Sequence, residues 1–396
     1  MRIILQFALV LGILYQPLHA CRLWAVCVKS GHSISTLPPE ERLIILDELT
    51  SFYYQSETMQ NGWALLGYNQ ANSDSVTPIY RSESPAIEDS ITYWNSVSTL
   101  IDEDNHTIGI GHLRLATSGT NAIPNPHPFM FYEDAQSYSL VHNGTVNKDI
   151  LYNLITNNGT DISWLIDHEP QTFGGGSWQD DGWSNVVDSD LLMLYIMQNI
   201  DASANILIGL ETVLTNLVNE GVPLSQLNII FSNGTNLYVF GGNNGLSIAE
   251  SAEHYAIMTL PPVNEYLDWL GIANGEMVVI NENGVSYYQD FASTESDDPH
   301  ILAPELFKMY PAYPNPFNGS VTISMDGATN ETIDFSIYSL AGELVYNTIM
   351  TGPNIGRVEI QWNAKSTKNK TVSSGTYFVR MSTSALLETQ KILFIK

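Results

Sequence analysis

Hydrophobic and polar residues follow two different periods along the chain from residue 21 to about residue 290. Short, mainly apolar runs predict β-strands, and these runs are "CRLWAVCV" (21–28), "TIGIGHLRLAT" (107–117), "YSLVHNGTV" (138–146), "LNIIFSN" (227–233), "NLYVFGG" (236–242), "HYAIMTL" (254–260) and "EMVVINENG" (276–284). Apolar residues at helical spacing predict three helices, over 38–55, 188–200 and 202–220. Strands with helices between them predict an α+β domain built in layers.

Further along, apolar and polar residues alternate in short runs separated by Gly, Asn and Pro. The runs are "SVTISM" (320–325), "TIDFSIYSL" (332–340), "ELVYNTIM" (343–350), "RVEIQW" (357–362), "TYFVRMS" (376–382) and "QKILFIK" (390–396). Alternation places every second side chain on the same face of a strand. Six or seven such strands predict a small antiparallel β-sandwich of immunoglobulin-like type.

The distribution of charge separates this module from the rest of the chain. From residue 305 onward, eight basic and seven acidic residues nearly balance, whereas seven basic and 35 acidic residues come before it. A Ser-, Asp- and Pro-rich passage lies at the junction, which is typical of a linker. We therefore expect a first domain over 21–295, a linker over 296–310 and the β-sandwich over 311–396.

The first 20 residues have the organisation of a secretory signal peptide. Arg2 precedes the apolar run "IILQFALVLGILY", and Ala20 supplies a small residue at the expected cleavage point. A membrane-spanning helix would need about 20 apolar residues. We therefore expect an exported protein with no membrane insertion after cleavage.

Composition is that of a folded and strongly acidic protein. Hydrophobic residues make up 44% of the chain and aromatic residues 10%, which is enough for a substantial core. The formal net charge of −27 would repel nucleic acid and anionic membrane surfaces, so neither is expected as a partner.

The two cysteines lie close together in the sequence. Cys21 directly follows Ala20, and Cys27 lies in the same predicted strand. Six residues of extended strand span about 20 Å, whereas a disulfide requires Cα atoms about 4.4 to 6.8 Å apart. Cys27 is most simply a buried core residue. For Cys21 two explanations remain: acylation at a lipobox-like "LHAC", or a nucleophile whose own α-amine, freed by cleavage, acts as its base.

Four features further along could belong to a catalytic site, although each has an ordinary structural explanation. Arg114 is one of few basic residues in the acidic domain, and it could equally be a strand arginine paired with an acid. "NPHPF" (125–129) precedes "VHNGTV" (141–146), where Asn143 and Gly144 could offer two donors to an oxyanion or form a simple turn. Asp188 begins a predicted helix, where capping is the usual role.

Taken in order, these motifs resemble the class II glutamine amidotransferase domain, an N-terminal-nucleophile hydrolase of the stand-alone bacterial type. The matching segments are Cys21, "NGWALLGYN" (61–69), "GHLRLATSGT" (111–120), "NPHPF", "VHNGT" (141–145) and "VDSD" (187–190). The resemblance implies a four-layer αββα sandwich with the nucleophile at the end of a central strand.

The resemblance also implies a role for each matching residue. Cys21 would attack the γ-amide carbon of glutamine or of a γ-glutamyl compound and form a thioester. The side chain of Asn143 and the backbone N–H of Gly144 would hold the oxyanion. Arg114 would bind the substrate α-carboxylate and Asp188 its α-ammonium group.

Thr117 and Ser118 would line the same wall of the substrate site by analogy with the family. The resemblance implies neither a cofactor nor a metal, and the nine histidines include no HxH or HExxH spacing. His112, His127 and His142 are expected to orient or pack against other residues.

The sequence departs from the family pattern at two positions. Arg22 stands where the synthase-linked members usually have Gly, and Leu115 stands where many have an aromatic residue. No synthase domain is expected after residue 295, so ammonia would have no acceptor. The sequence therefore predicts hydrolysis of a γ-glutamyl C–N amide bond.

The alternatives are another N-terminal-cysteine acylase, of the bile-salt or penicillin-V type, and a non-enzymatic surface lipoprotein acylated at Cys21.

The C-terminal module resembles the sorting domain of type IX secretion substrates from Bacteroidetes-like bacteria. The phrases "YPNPFN", "IYSLAGELV", "SSGTYFVRM" and "KILFIK" carry this resemblance. It implies that the secretion machinery of a Gram-negative outer membrane is a partner. The expected location is the cell surface or the medium.

Overall fold

The computed structural model describes most of the chain after the expected cleavage point. The described residues are 21–69, 79–103, 105–116, 127–133, 136–242, 245–263, 266–292, 308–309, 312–326, 332–340, 342–351, 357–368, 370–382 and 387–396. The predicted signal peptide and nearly all of the predicted linker lie outside them.

Thirteen strands and six α-helices precede residue 293 among the described residues. The strands are β1 (Arg22–Val28), β2 (Trp63–Tyr68), β3 (Ile79–Ser82), β4 (Ile108–Leu113), β5 (Phe129–Glu133), β6 (Gln136–Asn143), β7 (Asn228–Ser232), β8 (Asn236–Phe240), β9 (Ser247–Glu250), β10 (His254–Met258), β11 (Leu270–Gly271), β12 (Met277–Asn281) and β13 (Gly284–Tyr288). The helices are α1 (Pro39–Gln55), α2 (Ser90–Ser98), α3 (Lys148–Ile155), α4 (Ser163–Asp167), α5 (Asp188–Ser203) and α6 (Ile206–Asn219).

These strands form two antiparallel sheets. The first has seven strands in the order β11-β9-β10-β1-β4-β2-β3, and the second has six in the order β13-β12-β8-β7-β6-β5. In the first sheet β1 is paired on both sides, with Arg22 opposite Leu113 of β4 and Trp24 opposite Met258 of β10. The N-terminal end of β1 is therefore fixed by hydrogen bonds to both neighbouring strands.

Three hydrophobic clusters show how the sheets and helices are layered. One cluster contains residues of both sheets, including Leu23 of β1 and Val141 of β6, and so fills the space between them. The opposite face of the first sheet packs against α1 and α2, with Trp24 and Leu49 in one cluster. The outer face of the second sheet packs against α3, α5 and α6. The order of layers is thus helices, sheet, sheet, helices.

Buried polar contacts also fix α1 to the first sheet. The indole N–H of Trp24 donates to Glu48 Oε2 over 2.8 Å, and His254 Nδ1 lies 2.8 Å from Glu41 Oε2. Glu48 and His254 are almost completely buried. Because both contacts pass from the helix to the central strands, they hold the layer behind β1 in place.

The C-terminal strands are β14 (Lys308–Met309), β15 (Val321–Asp326), β16 (Thr332–Ser339), β17 (Leu344–Thr351), β18 (Arg357–Trp362), β19 (Gly375–Ser382) and β20 (Leu387–Phe394). They form a three-stranded sheet, β14-β15-β18, and a four-stranded sheet, β17-β16-β19-β20. Residues of both sheets share one hydrophobic cluster, in which Trp362 and Phe335 are buried.

The expectation of a domain that mixes strands and helices is confirmed, and every strand and helix predicted from periodicity is present. The pattern does not predict α2, α3 and α4, or the strands β2, β3, β5, β9, β11 and β13. Of these, α2 buries only Tyr93, Ser96 and Val97 within an aromatic and polar run. Both cysteines are free, and Cys27 is buried as expected. Among the described residues, no helix has the length and apolarity needed to cross a membrane.

Two histidines are buried side by side near the end of β4. The ring centroids of His112 and His127 lie 4.2 Å apart. None of their four ring nitrogens has a hydrogen-bond partner among the described residues. Burial, followed by the nearby charges of Arg114 and His142, lowers the pKa of His112 to about 3. Burial also lowers the pKa of His127, so both rings are neutral in the folded protein at neutral pH.

Two leucines of α1 test the contribution of the layer packing. Leu49 is fully buried, whereas the side chain of Leu43 is largely exposed. We expect Leu49→Ala to lower the free energy of unfolding by about 2 to 5 kcal/mol, because it leaves a cavity in the core. Leu43→Ala should change it by less than about 0.5 kcal/mol. Urea denaturation followed by near-ultraviolet circular dichroism measures both, and equal effects would contradict the described layer.

Acid should destabilise the first domain through its buried histidines. An unfolded histidine has a pKa of about 6.5, so the unfolded chain takes up protons that folded His112 does not. The free energy of unfolding therefore falls as pH decreases below this value, by about 2 kcal/mol for His112 between pH 7.5 and pH 5. Urea titrations at several pH values should show a smaller slope for His112→Gln. An unchanged slope in His112→Gln would contradict the account.

Candidate active site

Cys21 lies at the start of β1, at the position that the pairing with β4 brings beside Arg114. Its thiol is half-buried, and the backbone N–H of Leu115 donates to Sγ over 3.5 Å. Burial raises the pKa of the Cys21 thiol, while the Leu115 contact and the positive charge of Arg114 act in the opposite direction. The protein environment thus holds the thiol in one place and provides some stabilisation for a thiolate.

Arg114 connects this thiol to the second sheet. It follows β4 directly, so it lies at the end of the strand rather than within it. It is nevertheless only 5% exposed. Burial lowers the pKa of the guanidinium, and the charges of Cys21 and Asp188 raise it. Arg114 is therefore close enough to both groups to interact with each. The structure brings together three of the residues that the sequence singled out.

Asp188 is oriented by a backbone contact rather than used as a helix cap. It is the first residue of α5, whose N-cap residue is Val187. Its Oδ2 accepts a hydrogen bond of 2.8 Å from the backbone N–H of Val146. The carboxylate is buried. The backbone thus fixes one oxygen of this carboxylate beside the positive charge of Arg114.

Asn143 and Gly144 form the turn that ends β6. The Asn143 side chain is 2% exposed, and its Nδ2 has no hydrogen-bond partner among the described residues. Its backbone carbonyl accepts a hydrogen bond from Asn228 Nδ2, which is buried on β7. A buried amide donor without an acceptor costs about 1 to 3 kcal/mol. Such a group in a native structure calls for an explanation, and a ligand oxygen would provide one.

The position of Gly144 requires the absence of a side chain. A Cβ at this residue would lie 2.1 Å from the backbone oxygen of Gln226. Gln226 also accepts a 2.7 Å hydrogen bond at Oε1 from the backbone N–H of Thr145. The turn therefore packs directly against the 3-10 helix Leu224–Gln226, and this contact sets the direction of its N–H groups.

His142 is a positioning residue for this turn. Its Nε2 lies 2.7 Å from Gln226 O, and its Nδ1 lies 2.9 Å from Ser189 Oγ. A carbonyl only accepts, so Nε2 carries the proton and Nδ1 accepts from the serine hydroxyl. Burial lowers the pKa of His142, and Asp188 and the Gln226 carbonyl offset part of that shift. The neutral ring connects the turn with the start of α5.

Several positioning residues escape prediction from sequence motifs. Gln226 and Asn228 carry no local signal, because each acts on a turn that is distant in sequence. Asn61 could have been predicted, since it begins the "NGWALLGYN" segment (61–69) of the family resemblance. Its Oδ1 accepts from the backbone N–H of Ala116, and its own N–H donates to Arg114 O. These contacts fix the chain on both sides of Leu115.

Thr117 and Ser118, the other two predicted substrate-binding residues, lie outside the described residues. Within the described part of the chain, no group of three or more His, Cys, Asp or Glu side chains could hold a metal ion. The groups that are present comprise a thiol, a guanidinium, a carboxylate and a buried amide donor. Together they can bind an amino acid head group and stabilise an oxyanion.

Comparison with solved structures gives distant similarities. A glutamine aminotransferase class-II domain protein from Silicibacter pomeroyi is 15% identical, with 68% of this chain and 98% of that chain covered and a TM-score of 0.39. A predicted glutamine amidotransferase from Pseudomonas aeruginosa is 14% identical, with 67% and 98% covered and a TM-score of 0.33. PorZ, a surface component of the type-IX secretion system of Porphyromonas gingivalis, is 14% identical, with 43% and 29% covered and a TM-score of 0.20. Comparison with curated proteins gave no match.

The family comparison concerns the C-terminal module. Residues 311–396 match the family model described as "Secretion system C-terminal sorting domain". This match agrees with the sorting function expected from the "YPNPFN" and "KILFIK" segments. The protein thus carries a C-terminal sorting domain for secretion, and its location is the cell surface or the medium.

Proposed function

We propose that the first domain is an amidohydrolase that uses an N-terminal cysteine, Cys21, to cleave the γ-amide of glutamine or of a γ-glutamyl compound. The observation that carries this proposal is the buried Asn143 amide without an acceptor among the described residues. This amide lies at a turn from which the Val146 N–H donates to the Asp188 carboxylate. The charges of Asp188 and of the Cys21 thiol both act on Arg114.

Removal of the signal peptide would supply the base. Cleavage after Ala20 would free the α-amine of Cys21, whose ordinary pKa is about 7.7 to 8.0. This amine can take the proton of the thiol at neutral pH as Sγ attacks the amide carbon. The hydrogen bond from Leu115 to Sγ supports this step, because it stabilises the thiolate.

The carbonyl oxygen of the substrate becomes negatively charged during the attack. Asn143 Nδ2 and the backbone N–H of Gly144 would donate to it. Both groups are held in advance by the contacts of this turn with Gln226 and Asn228, so little reorganisation would be needed.

The amino acid head group of the substrate would bind between Arg114 and Asp188. A planar guanidinium binds a carboxylate through two parallel hydrogen bonds, and Asp188 Oδ1 would accept from the α-ammonium group. The buried position of both side chains strengthens these charge-assisted contacts relative to water.

The reaction would proceed in two stages. The protonated amine of Cys21 gives its proton to the amide nitrogen, and the C–N bond breaks. Ammonia or an amine departs, and the γ-glutamyl group remains on Sγ as a thioester. The amine then removes a proton from a water molecule that attacks the thioester. The C–S bond breaks, the thiol regains a proton, and glutamate is released.

The proposed architecture assigns residues 21–295 to an αββα domain of N-terminal-nucleophile type, and the alternation of two sheets with outer helices supports it. Residues 311–396 would form a β-sandwich, supported by the cluster that side chains of both C-terminal sheets share. A linker over 296–310 would join them, and type IX secretion machinery would bind the sandwich during export.

Asn143→Ala tests the oxyanion contact directly. With L-glutamine, or with a γ-glutamyl peptide, as substrate, kcat should fall by about 100- to 1000-fold with little change in KM. The loss would be confined to kcat because the contact forms with the charged oxygen rather than with the bound amide. Asn153→Ala, at an exposed position of α3, should keep full activity. Equal activity in both variants, or no hydrolysis of either substrate by the cleaved wild-type protein, would contradict the proposal.

A set of substrate analogues separates the roles of Arg114 and Asp188. Arg114→Lys should lower kcat/KM for L-glutamine by about 10- to 100-fold, since a bidentate contact is lost. The same variant should match the wild type on 4-aminobutanamide, which has no α-carboxylate.

Asp188→Asn should behave in the complementary way. It should be impaired on L-glutamine and should match the wild type on glutaramic acid, which lacks the α-amine. Steady-state kinetics on the three amides measure these ratios. A variant impaired equally on all of them would show that its side chain supports the fold and does not read the substrate.

A further inference from the structure

A second cavity lies beside α3, apart from the side chains around Cys21. It has a volume of 580 Å³ and is bounded on one side by Asp149 and Tyr152 of α3. On the other side it is bounded by the segment Trp178–Trp183, which also contributes Asp180. This size is in the range of small-molecule sites, about 300 to 1000 Å³.

The walls of the cavity combine aromatic rings with carboxylates. Trp178 is 6% exposed although it lines the cavity, and the rings of Tyr152 and Trp183 meet edge to face with centroids 5.7 Å apart. Asp149 and Asp180 are exposed at the rim, and no described residue forms a salt bridge with either. The cavity therefore offers π-faces and negative charge to the same ligand.

Hydrogen bonds within the segment that carries Trp178, and from Lys148, hold that segment in place. The N–H of Gly182 donates to Ser177 O over 2.8 Å, and the N–H of Ser177 donates to Asp181 Oδ1 over 3.2 Å. Lys148 fixes the other end of the segment, since its Nζ donates to Trp183 O and Val186 O over 2.8 and 2.9 Å. The walls are thus ordered without a ligand, which reduces the entropy cost of binding.

Lys148 already places a cation over one of these rings, that of Trp183. Its Nζ lies 5.2 Å from the centroid of the Trp183 ring, within the range of about 6 Å for a cation–π contact. The charge of Lys148 interacts with Asp149 and offsets part of its attraction, but Asp180 and the net charge of −27 still favour positively charged ligands over anions.

From these contacts we propose that the cavity binds an organic cation of the alkylammonium class, such as a quaternary ammonium group. An alkylated ammonium gains from all three features: its methyl or methylene groups bury apolar surface against the rings, its charge interacts with their faces, and the carboxylates neutralise it. A hydrated metal ion would gain nothing from the aromatic walls. A neutral sugar could donate hydroxyl hydrogen bonds to the carboxylates but would leave their negative charge uncompensated. The site shares no side chain with the proposed hydrolase site, so it stands or falls independently of that function.

Choline and its neutral isostere 3,3-dimethylbutan-1-ol provide the direct test. Isothermal titration calorimetry of the full chain at low ionic strength should show saturable binding of choline, at least about 10-fold tighter than that of the alcohol. Asp149→Asn/Asp180→Asn should weaken choline binding by at least about 10-fold. Asp167→Asn/Asp201→Asn, which removes two exposed carboxylates outside the cavity, should leave binding within about two-fold of the wild type.

Trp183→Leu provides a second variant, which should also weaken choline binding while leaving the far-ultraviolet circular dichroism unchanged. The proposal is overturned if choline shows no saturation by about 50 mM, or if the neutral alcohol binds as tightly as choline. It is also overturned if maltose binds more tightly than choline, or if the two double variants behave alike.

Discussion

The pairing of β1 on both of its edges is the constraint on which the proposed site depends. Antiparallel hydrogen bonds to β4 and β10 fix the register of this strand, with Arg22 opposite Leu113. A slip of one residue would reverse every side chain and move Leu23 out of the core between the sheets. The strand therefore holds Cys21 beside Leu115 and Arg114, at the N-terminal end of this central strand.

The second sheet completes the site through a small number of buried polar contacts. The turn at Asn143 and Gly144 contacts Gln226 and Asn228 by direct hydrogen bonds, and His142 connects it to the start of α5. These contacts hold the turn in place but leave the Asn143 side-chain amide without an acceptor among the described residues. A buried amide donor of this kind calls for an explanation, and a ligand oxygen would provide one.

The sequence predicts those parts of the protein whose information is local. Period-two alternation places the C-terminal strands, and long apolar periodicity places α1, α5 and α6. Ordered motifs select Cys21, Arg114 and Asp188, which the structure brings within range of charge interactions. The contacts of Gln226 and Ser189 with His142 could not be predicted, because they depend on how the sheet and helix layers pack. The aromatic cavity beside α3 is of the same kind, since it forms only when residues 178–183 fold back onto that helix.

The central claim is that the exported chain begins with an unmodified Cys21 whose thiol reacts within this site. The most direct test is the intact mass of the exported protein before and after treatment with a diazo-oxo analogue of glutamine, with peptide mapping of the adduct. The account predicts a chain that begins at Cys21, carries no acyl group and gains a single adduct on that residue. A different first residue, a fatty acyl group on the thiol, or an adduct elsewhere would contradict it.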